Sequence, residues 1–375
     1  GHQSKVVFDF DDNMGDSSCV GCGECVQACP TGALMEKSLV NQEGKRDVFP
    51  EKVINSLCPY CGVGCQTKVS VKNNKIVQVD GRDGPANNQK LCVKGRFGYD
   101  YIHNESRLKK PLIRRENIVK SKIEDYSNLR VKDYFREGSW EEAISLASKK
   151  LKNIYDNSGA SSICGFGSAK CSNEEAYLFQ KLVRTAFKTN NVDHCTRLCH
   201  ASSVAALMEC VGSGAVSAPF TAVKDSDCII IIGARPTTNH PVAATYFKRA
   251  AKDGKKLIIL DPRTQDLTRH AYKHLQFKPG KDVALLNSII YTIVEENLYD
   301  KQYVASMTEG FEQLKKNISK FKPEDMEKVC GIDASIIRDT ARVYAKSNSS
   351  IIFWGMGISQ HIHGTDNSRC LITLA

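Results

Sequence analysis

The sequence predicts an α/β protein: a layered body of strands alternating with helices, preceded by two small cysteine-rich units. Three observations carry this. After about residue 140, short apolar runs such as Cys228–Ile232 and Lys256–Leu260 alternate with amphipathic stretches of helical period. Eight of the 16 cysteines fall in two tight groups ahead of that body. Finally, 375 residues exceed one ordinary core, so two or more domains are expected. A 41% hydrophobic and 25% charged composition is that of a folded chain. No apolar run approaches the roughly 18 residues of a membrane helix, so no membrane insertion is expected.

Residues 1–36 read as a cysteine-rich head and 37–56, polar with Gly44 and Pro50, as a linker. Residues 57–110 form the second cysteine unit, and 111–375 the α/β region. Within the second unit Lys68–Val71 and Ile76–Val79 alternate around Lys72-Asn73-Asn74-Lys75, a hairpin pattern. Residues 104–138 are a charged connection carrying Arg107, Lys109, Lys110, Arg114 and Arg115.

Ser139-Trp-Glu-Glu142 and Ser172-Asn-Glu-Glu175 read as capping boxes opening helices, with a strand at Ser161–Phe166 between them. Cys228–Ile232, the helix Pro241–Ala251 with proline in its first turn, and Lys256–Leu260 make a βαβ unit, expected to be parallel. Asp282–Glu296 reads as a long helix capped by Asp282, and Ile351–Trp354 as a late strand.

The net charge of +10 is uneven: residues 1–50 hold four basic and eight acidic side chains, −4, leaving +14 on the rest. That suits a body holding anionic ligands beside an acidic head, or simply a solvated surface. The basic residues form no aromatic-interleaved stripe and no reader motif, so nucleic acid is not an expected partner.

Cysteine usage is the sharpest signal. A disulfide scaffold is usually a short chain without a core, whereas this chain has ample core. Reduced metal ligands and a cytoplasmic location are therefore expected. Cys19-x2-Cys22-x2-Cys25-x3-Cys29-Pro30 is a bacterial ferredoxin-type signature for a 4Fe-4S cluster, with zinc as the alternative. Such a final cysteine serves another cluster in two-cluster ferredoxins, so Cys29 either closes its own site or pairs with a motif upstream of this chain. Cys58-x2-Cys61-x3-Cys65-x26-Cys92 is a second four-thiolate set, three ligands on one turn and the fourth remote, which suits another 4Fe-4S cluster better than a zinc ribbon. Lys94, two residues past the last ligand, is expected against that cluster.

Leu57-Cys-Pro-Tyr-Cys-Gly-Val-Gly-Cys65 with Leu91-Cys-Val-Lys-Gly-Arg96 resembles the cluster domain that opens molybdenum or tungsten bis-molybdopterin guanine dinucleotide oxidoreductases. Asn191-Val-Asp-His-Cys-Thr-Arg-Leu-Cys-His200 resembles the active-site segment of formate dehydrogenases within that family. With the ferredoxin-like head, the likeness is to the catalytic α subunit of the soluble NAD-dependent type, over essentially the whole chain.

The resemblance implies a fold of 4Fe-4S head, small β-rich 4Fe-4S domain and Rossmann-like parallel α/β layers. It implies that Cys199 ligates molybdenum or tungsten in place of the frequent selenocysteine, and that His200 relays protons. Soft thiolate beside imidazole suits redox coupled to proton transfer. For the guanine and pyrophosphate arms it implies Gly233, Asp261 and Arg263 at strand ends, Thr238, Asn239 and His240 at a helix start, and Gly280 with Asp282 in a second nucleotide turn. Gly355, Met356 and Gln360 would touch one pterin; Lys170 and Asn173 are further pterin candidates, and Lys94 would lie on the electron path.

No G-x-G-x-x-G follows a strand, so NAD is not expected on this chain. Formate and CO2 are the implied substrates, and a diaphorase-like subunit, a hydrogenase or a ferredoxin the implied electron acceptor. The family's substrate arginine lies beyond Ala375 and is not replaced by Arg369, so the chain reads as a fragment at both ends. Cys195 and Cys210 are expected in the core. The rivals are a nitrate reductase, whose metal cysteine is not normally followed by histidine, and an electron-wire subunit like the large iron–sulfur subunit of complex I.

Overall fold

Asn73 and Asn74 both take positive φ, 49° and 56°, which closes the two-residue turn of the expected hairpin. In the computed structural model its strands are β2 (Gln66–Lys72) and β3 (Lys75–Gly81), antiparallel, with β1 (Lys52–Leu57) on the other side of β2. The stretch read as a linker, 37–56, thus contains most of an edge strand. The structure describes residues 2, 5, 7–116, 118, 130–216 and 218–375; the middle of the charged connection, 117 and 119–129, lies outside the described residues.

The head adds one helical turn, α1 (Glu24–Gln27), and the second cysteine unit ends in α2 (Val93–Phe97). The backbone divides into two compact units, Gly1–Phe97 with Thr196–Ala375, and Gly98–Cys195. These cuts differ from the boundary read at residue 110.

In the Gly98–Cys195 unit, β4 (Leu112–Arg114) pairs antiparallel with β5 (Phe135–Glu137), and β6 (Gly165–Phe166) pairs parallel with β7 (Val192–Asp193). The strand expected over Ser161–Phe166 shrinks to its last two residues, since Ala160–Ser162 winds into a 3-10 turn. Helix α3 (Trp140–Ser158) is capped by Ser139, which accepts from the Glu142 amide. Glu142 spends its carboxylate on Arg136 rather than on the cap, at 2.5 Å, so the reciprocal half of that box does not form. The box at α4 (Asn173–Lys181) is complete: Ser172 and Glu175 satisfy each other's backbone N–H.

The other unit carries the main sheet. Strands β8 (Cys228–Ile232), β9 (Lys256–Leu260), β10 (Lys273–Leu275) and β11 (Ser350–Trp354) run parallel in the order β10-β9-β8-β11. The unbroken apolar run of β8 is explained by cover on both faces. Ile230, Ile232, Ile258 and Leu260 pack with Leu285, Leu286 and Ile289 of α7 (Asp282–Glu295), with Ile337 of α8 (Ala334–Ala345) and with Leu371 of α9 (Gly364–Leu374). Beside the opposite face α6 (Pro241–Lys252) sets Phe247 edge-on against Phe353, ring centroids 5.1 Å apart. Each such buried side chain contributes about 1.5–3 kcal/mol.

Asp282 is not the cap of α7. It is the first helical residue, after the N-cap Lys281, and is 4% exposed. Cys195 and Cys210 are exposed rather than core residues. Among the described residues no helix is long and apolar enough to cross a membrane.

Candidate active site and cluster-ligand sites

Parallel strands end together, so the loops after β8, β9 and β11 share one sheet edge. Gly233 and Gly355 follow β8 and β11 there, and Asp261 follows β9. The two glycine loops touch backbone to backbone. A Cβ on Gly233, which has φ 58°, would lie 2.8 Å from the Ile358 nitrogen; one on Gly355 would lie 2.6 Å from the Gly233 oxygen, and one on Gly357 2.8 Å from the Gly233 Cα. No side chain larger than hydrogen fits that seam.

Cys199 ends the helical turn Thr196–Cys199, and His200 follows as the residue before α5 (Ala201–Val211). Cys199 is half-buried at a cleft of about 360 Å3 lined by Arg197, Cys199, Ser202, Ser359, Gln360 and His361. The loop after β11 forms the facing wall and is stitched across. Gln360 donates to the Leu198 carbonyl at 3.0 Å and Ser202 to the Ser359 carbonyl at 2.7 Å. His200 Nδ1 lies 3.0 Å from Ser359 Oγ, which lies 2.5 Å from Ser203 Oγ. Ser203 Oγ accepts from the Trp354 indole at 3.0 Å and lies 3.2 Å from Ser368 Oγ. Burial holds the His200 pKa below the usual imidazole value.

Along the same edge, Asp261 accepts from the Arg263 amide at 2.8 Å and from Gln265 Nε2 at 3.1 Å, while the Arg263 side chain is exposed. Gln265 Oε1 is buried without a hydrogen-bond partner. Burial raises the Asp282 pKa, against the opposing pull of its own backbone amide and of His361. Gly280 has φ 74° in the turn before α7. Thr238 and Asn239 end the short helix Pro236–Asn239 and His240 joins it to α6, all three exposed, and Met356 opens the turn Met356–Ser359. Lys170 and Asn173 belong to the Gly98–Cys195 unit, both exposed around the start of α4. Arg369 is committed to Glu209 and Asp366, at 2.5 and 2.8 Å.

Of the cluster cysteines, Cys65 and Cys92 are buried and Cys58 and Cys61 half-buried. Burial, then the neighbouring Cys58, Cys61 and Cys92, pushes the Cys65 thiol up to about 12. Thiols that disfavour one another's ionisation fit a site whose negative charge a cationic centre neutralises. In the head Cys19 and Cys25 are exposed and Cys22 and Cys29 half-buried; Thr31, and then backbone amides, draw Cys29 down to about 7. Among the described residues no three His, Cys, Asp or Glu converge on a single-ion position. Lys94 is exposed on α2.

Sequence reasoning passed over Ser359, Ser203 and Arg96. Arg96 ends the Leu91–Arg96 motif and Ser359 precedes Gln360, but a serine or arginine carries no signal until its partner, distant in sequence, is known.

Two four-cysteine sets ahead of a parallel sheet, with a thiol at a cleft beside its strand ends, define a cluster-bearing α/β protein. Residues 107–375 match the molybdopterin oxidoreductase family, 51–104 the molybdopterin oxidoreductase Fe4S4 domain, and 16–35 the 4Fe-4S binding domain. The chain belongs to the molybdopterin oxidoreductase family. It is 38% identical over 86% of its length to the F420-dependent formate dehydrogenase subunit alpha of Methanocaldococcus jannaschii, covering 45% of that protein. Formate dehydrogenase H of Escherichia coli is also 38% identical, over 86% of this chain and 44% of its own. The probable oxidoreductase YjgC of Bacillus subtilis is 32% identical over 99% of this chain and 40% of its own. The chain thus spans less than half the length of these relatives. The acetylene hydratase of Pelobacter acetylenicus shares the fold, with TM-score 0.73 and 22% identity over 85% of this chain and 42% of its own.

The residues present fit the family's groups. Two thiol sets suit 4Fe-4S clusters, and a soft thiol at a cleft suits molybdenum or tungsten carried by molybdopterin. The buried, unpartnered Gln265 oxygen suits a polar ligand at the sheet edge.

Proposed function

We propose that this chain is part of the catalytic subunit of a formate dehydrogenase, converting formate to CO2, a proton and two electrons, or running the reverse. The observation that carries the reading is Cys199 lining the cleft, with His200 next to it in the chain and bonded to Ser359 in the loop after β11. When bound, the molybdenum or tungsten bis-molybdopterin guanine dinucleotide supplies a centre that takes up two electrons. Cys199 would hold the metal as thiolate. His200, anchored through Nδ1 by Ser359, would offer Nε2 to the proton that leaves formate. Gly233, Asp261, Arg263, Thr238, Asn239, His240, Gly280 and Asp282 are the proposed nucleotide contacts; Gly355, Met356, Gln360, Lys170 and Asn173 are the proposed pterin contacts.

Cys58, Cys61, Cys65 and Cys92 would hold one 4Fe-4S cluster, and Cys19, Cys22, Cys25 and Cys29 take part in another. Lys94 lies between the pterin and the first cluster in this reading. The electrons leave to a partner subunit or carrier, and so many ligand thiols suit the reducing cytoplasm. Metal analysis and formate-driven reduction of the full-length protein test the proposal. Molybdenum or tungsten together with cluster bleaching on adding formate supports it; bound metal with reduction by a different oxyanion couple, or no such metal at all, overturns it.

A further inference from the structure

Arg96 is wholly buried, 0% exposed, in a place where a guanidinium must be fully paired. Its Nε donates to the Cys22 carbonyl at 2.9 Å and its Nη1 to Asp80 at 2.8 Å. Its Nη2 donates to Glu24 and to Gln27 Oε1, both at 2.7 Å. The Arg96 backbone N–H donates to the Cys92 carbonyl at 3.0 Å. One residue therefore bonds a cysteine of the first thiol set through its side chain and a cysteine of the second through its main chain.

The surroundings are shaped to it. Gly23, at φ 75°, leaves the room the side chain needs: a Cβ there would lie 2.5 Å from Arg96 Cδ. Glu24 also accepts from the Leu91 amide at 2.8 Å, one residue before Cys92. Gln27 Oε1 also accepts from the Gly81 amide at 3.0 Å, next to Asp80. Apolar packing does not do this work, because no apolar side chain among the described residues of 1–36 is fully buried. Lys248 to Ser18 and Arg269 to Asp12 hold the head's outer loop, ahead of the ligand-bearing stretch.

We propose that Arg96 is the positioning residue that sets the spacing of the protein's two iron–sulfur clusters, by locking the Cys22–Cys25 loop onto the Cys92 turn. This rests on the cluster reading of both cysteine sets and is independent of the substrate. When an electron passes along the pair, one cluster loses it and the other gains it, and no bond in Arg96 is made or broken. Arg96 acts only by fixing distance and orientation, on which the coupling between two such centres depends steeply.

The test uses full-length protein, reduced with dithionite, with iron and sulfide counted and the spin–spin interaction between clusters read by EPR. Arg96→Lys keeps the charge but cannot reach Cys22, Asp80, Glu24 and Gln27 together. Gln27→Ala is the milder second variant, removing one acceptor without stranding the charge. In wild type both clusters should be present and mutually broadened. Both variants should keep the iron of both clusters while the broadening falls or spreads, more in Arg96→Lys than in Gln27→Ala. Full iron with wild-type coupling in both variants overturns the bridge alone. A head without iron in wild type overturns the bridge and the cluster reading of the head together.

Discussion

Ser359 holds His200 from behind: its hydroxyl lies 3.0 Å from Nδ1, so one imidazole nitrogen is engaged by the loop after β11 while Cys199, one residue earlier, lines the cleft. Ser359 is itself anchored by Ser203, and Ser203 by Trp354. The imidazole orientation is thus set from the core outward.

This orders the effects of substitutions at three residues in full-length protein. Cys199→Ala removes a soft metal ligand and should abolish formate oxidation; Cys199→Ser, offering a harder oxygen, should be severely impaired. His200→Ala should keep a residual rate, since acid–base help is typically worth about 10²–10⁴-fold. Ser359→Ala should fall between His200→Ala and wild type, with Ser359→Thr restoring part of the loss. Cluster content should be normal in all of them. Full activity in Cys199→Ala would show that Cys199 is not the metal ligand.

A pH effect follows from Glu36. Its two carboxylate oxygens are buried; burial, then Asp80 on β3, raises its pKa from 4.5 to about 7 against the opposing pull of Arg96 on α2. The folded state therefore holds this proton where the unfolded state has lost it. Stability from this group is complete below about pH 4.5 and is lost as pH rises to about 7. Glu36→Gln should match wild type near pH 4 and exceed it at pH 8, by up to roughly 3 kcal/mol for a shift of this size. Denaturant melts at both pH values check this; parallel curves for the two proteins would show that Glu36 titrates normally.

The α/β body was legible because its code is local. Four isoleucines in β8, proline opening α6 and the apolar run of β9 each declare an element without reference to anything distant. Cysteine spacing was equally readable, because a ligand set is a pattern along the chain. What the sequence hid depends on partners far apart: Arg96 meets Glu24 and Cys22 across some 70 positions, and His200 meets Ser359 across 159. The Asp282 cap failed for a related reason, since a buried first-turn position took a side chain that propensity assigned to the cap. Ser139 failed by half, because Arg136 competed for Glu142.

The glycine seam gives a stability prediction. A methyl group on Gly357 would lie 2.8 Å from Gly233 Cα, with backbone rather than a flexible side chain in its way. Gly357→Ala should cost about 1–3 kcal/mol, the usual range for overpacking. Gly233→Ala adds the strain of a positive φ and should cost more. Thermal melts rank them. If Gly357→Ala melts with wild type, the two loops are further apart than the backbone contacts imply.

Lys94 and Arg96 lie two residues apart on α2, and their burial separates their roles. Arg96 is fully buried with every guanidinium nitrogen hydrogen-bonded; Lys94 is exposed. Exposure makes Lys94 a poor stability residue, so Lys94→Met should shift stability by no more than about 0.5 kcal/mol. Its position two residues after Cys92 still puts a positive charge near the proposed cluster. An ammonium group stabilises a neighbour that gains an electron, and methionine keeps most of the bulk without the charge. Lys94→Met in full-length protein should therefore retain metal and iron near wild-type levels while formate-driven reduction of the clusters slows several-fold. Stopped-flow bleaching of the iron–sulfur absorbance measures this directly. If the bleaching rate is unchanged while iron content is normal, Lys94 is an ordinary solvated lysine and the electron path does not depend on its charge.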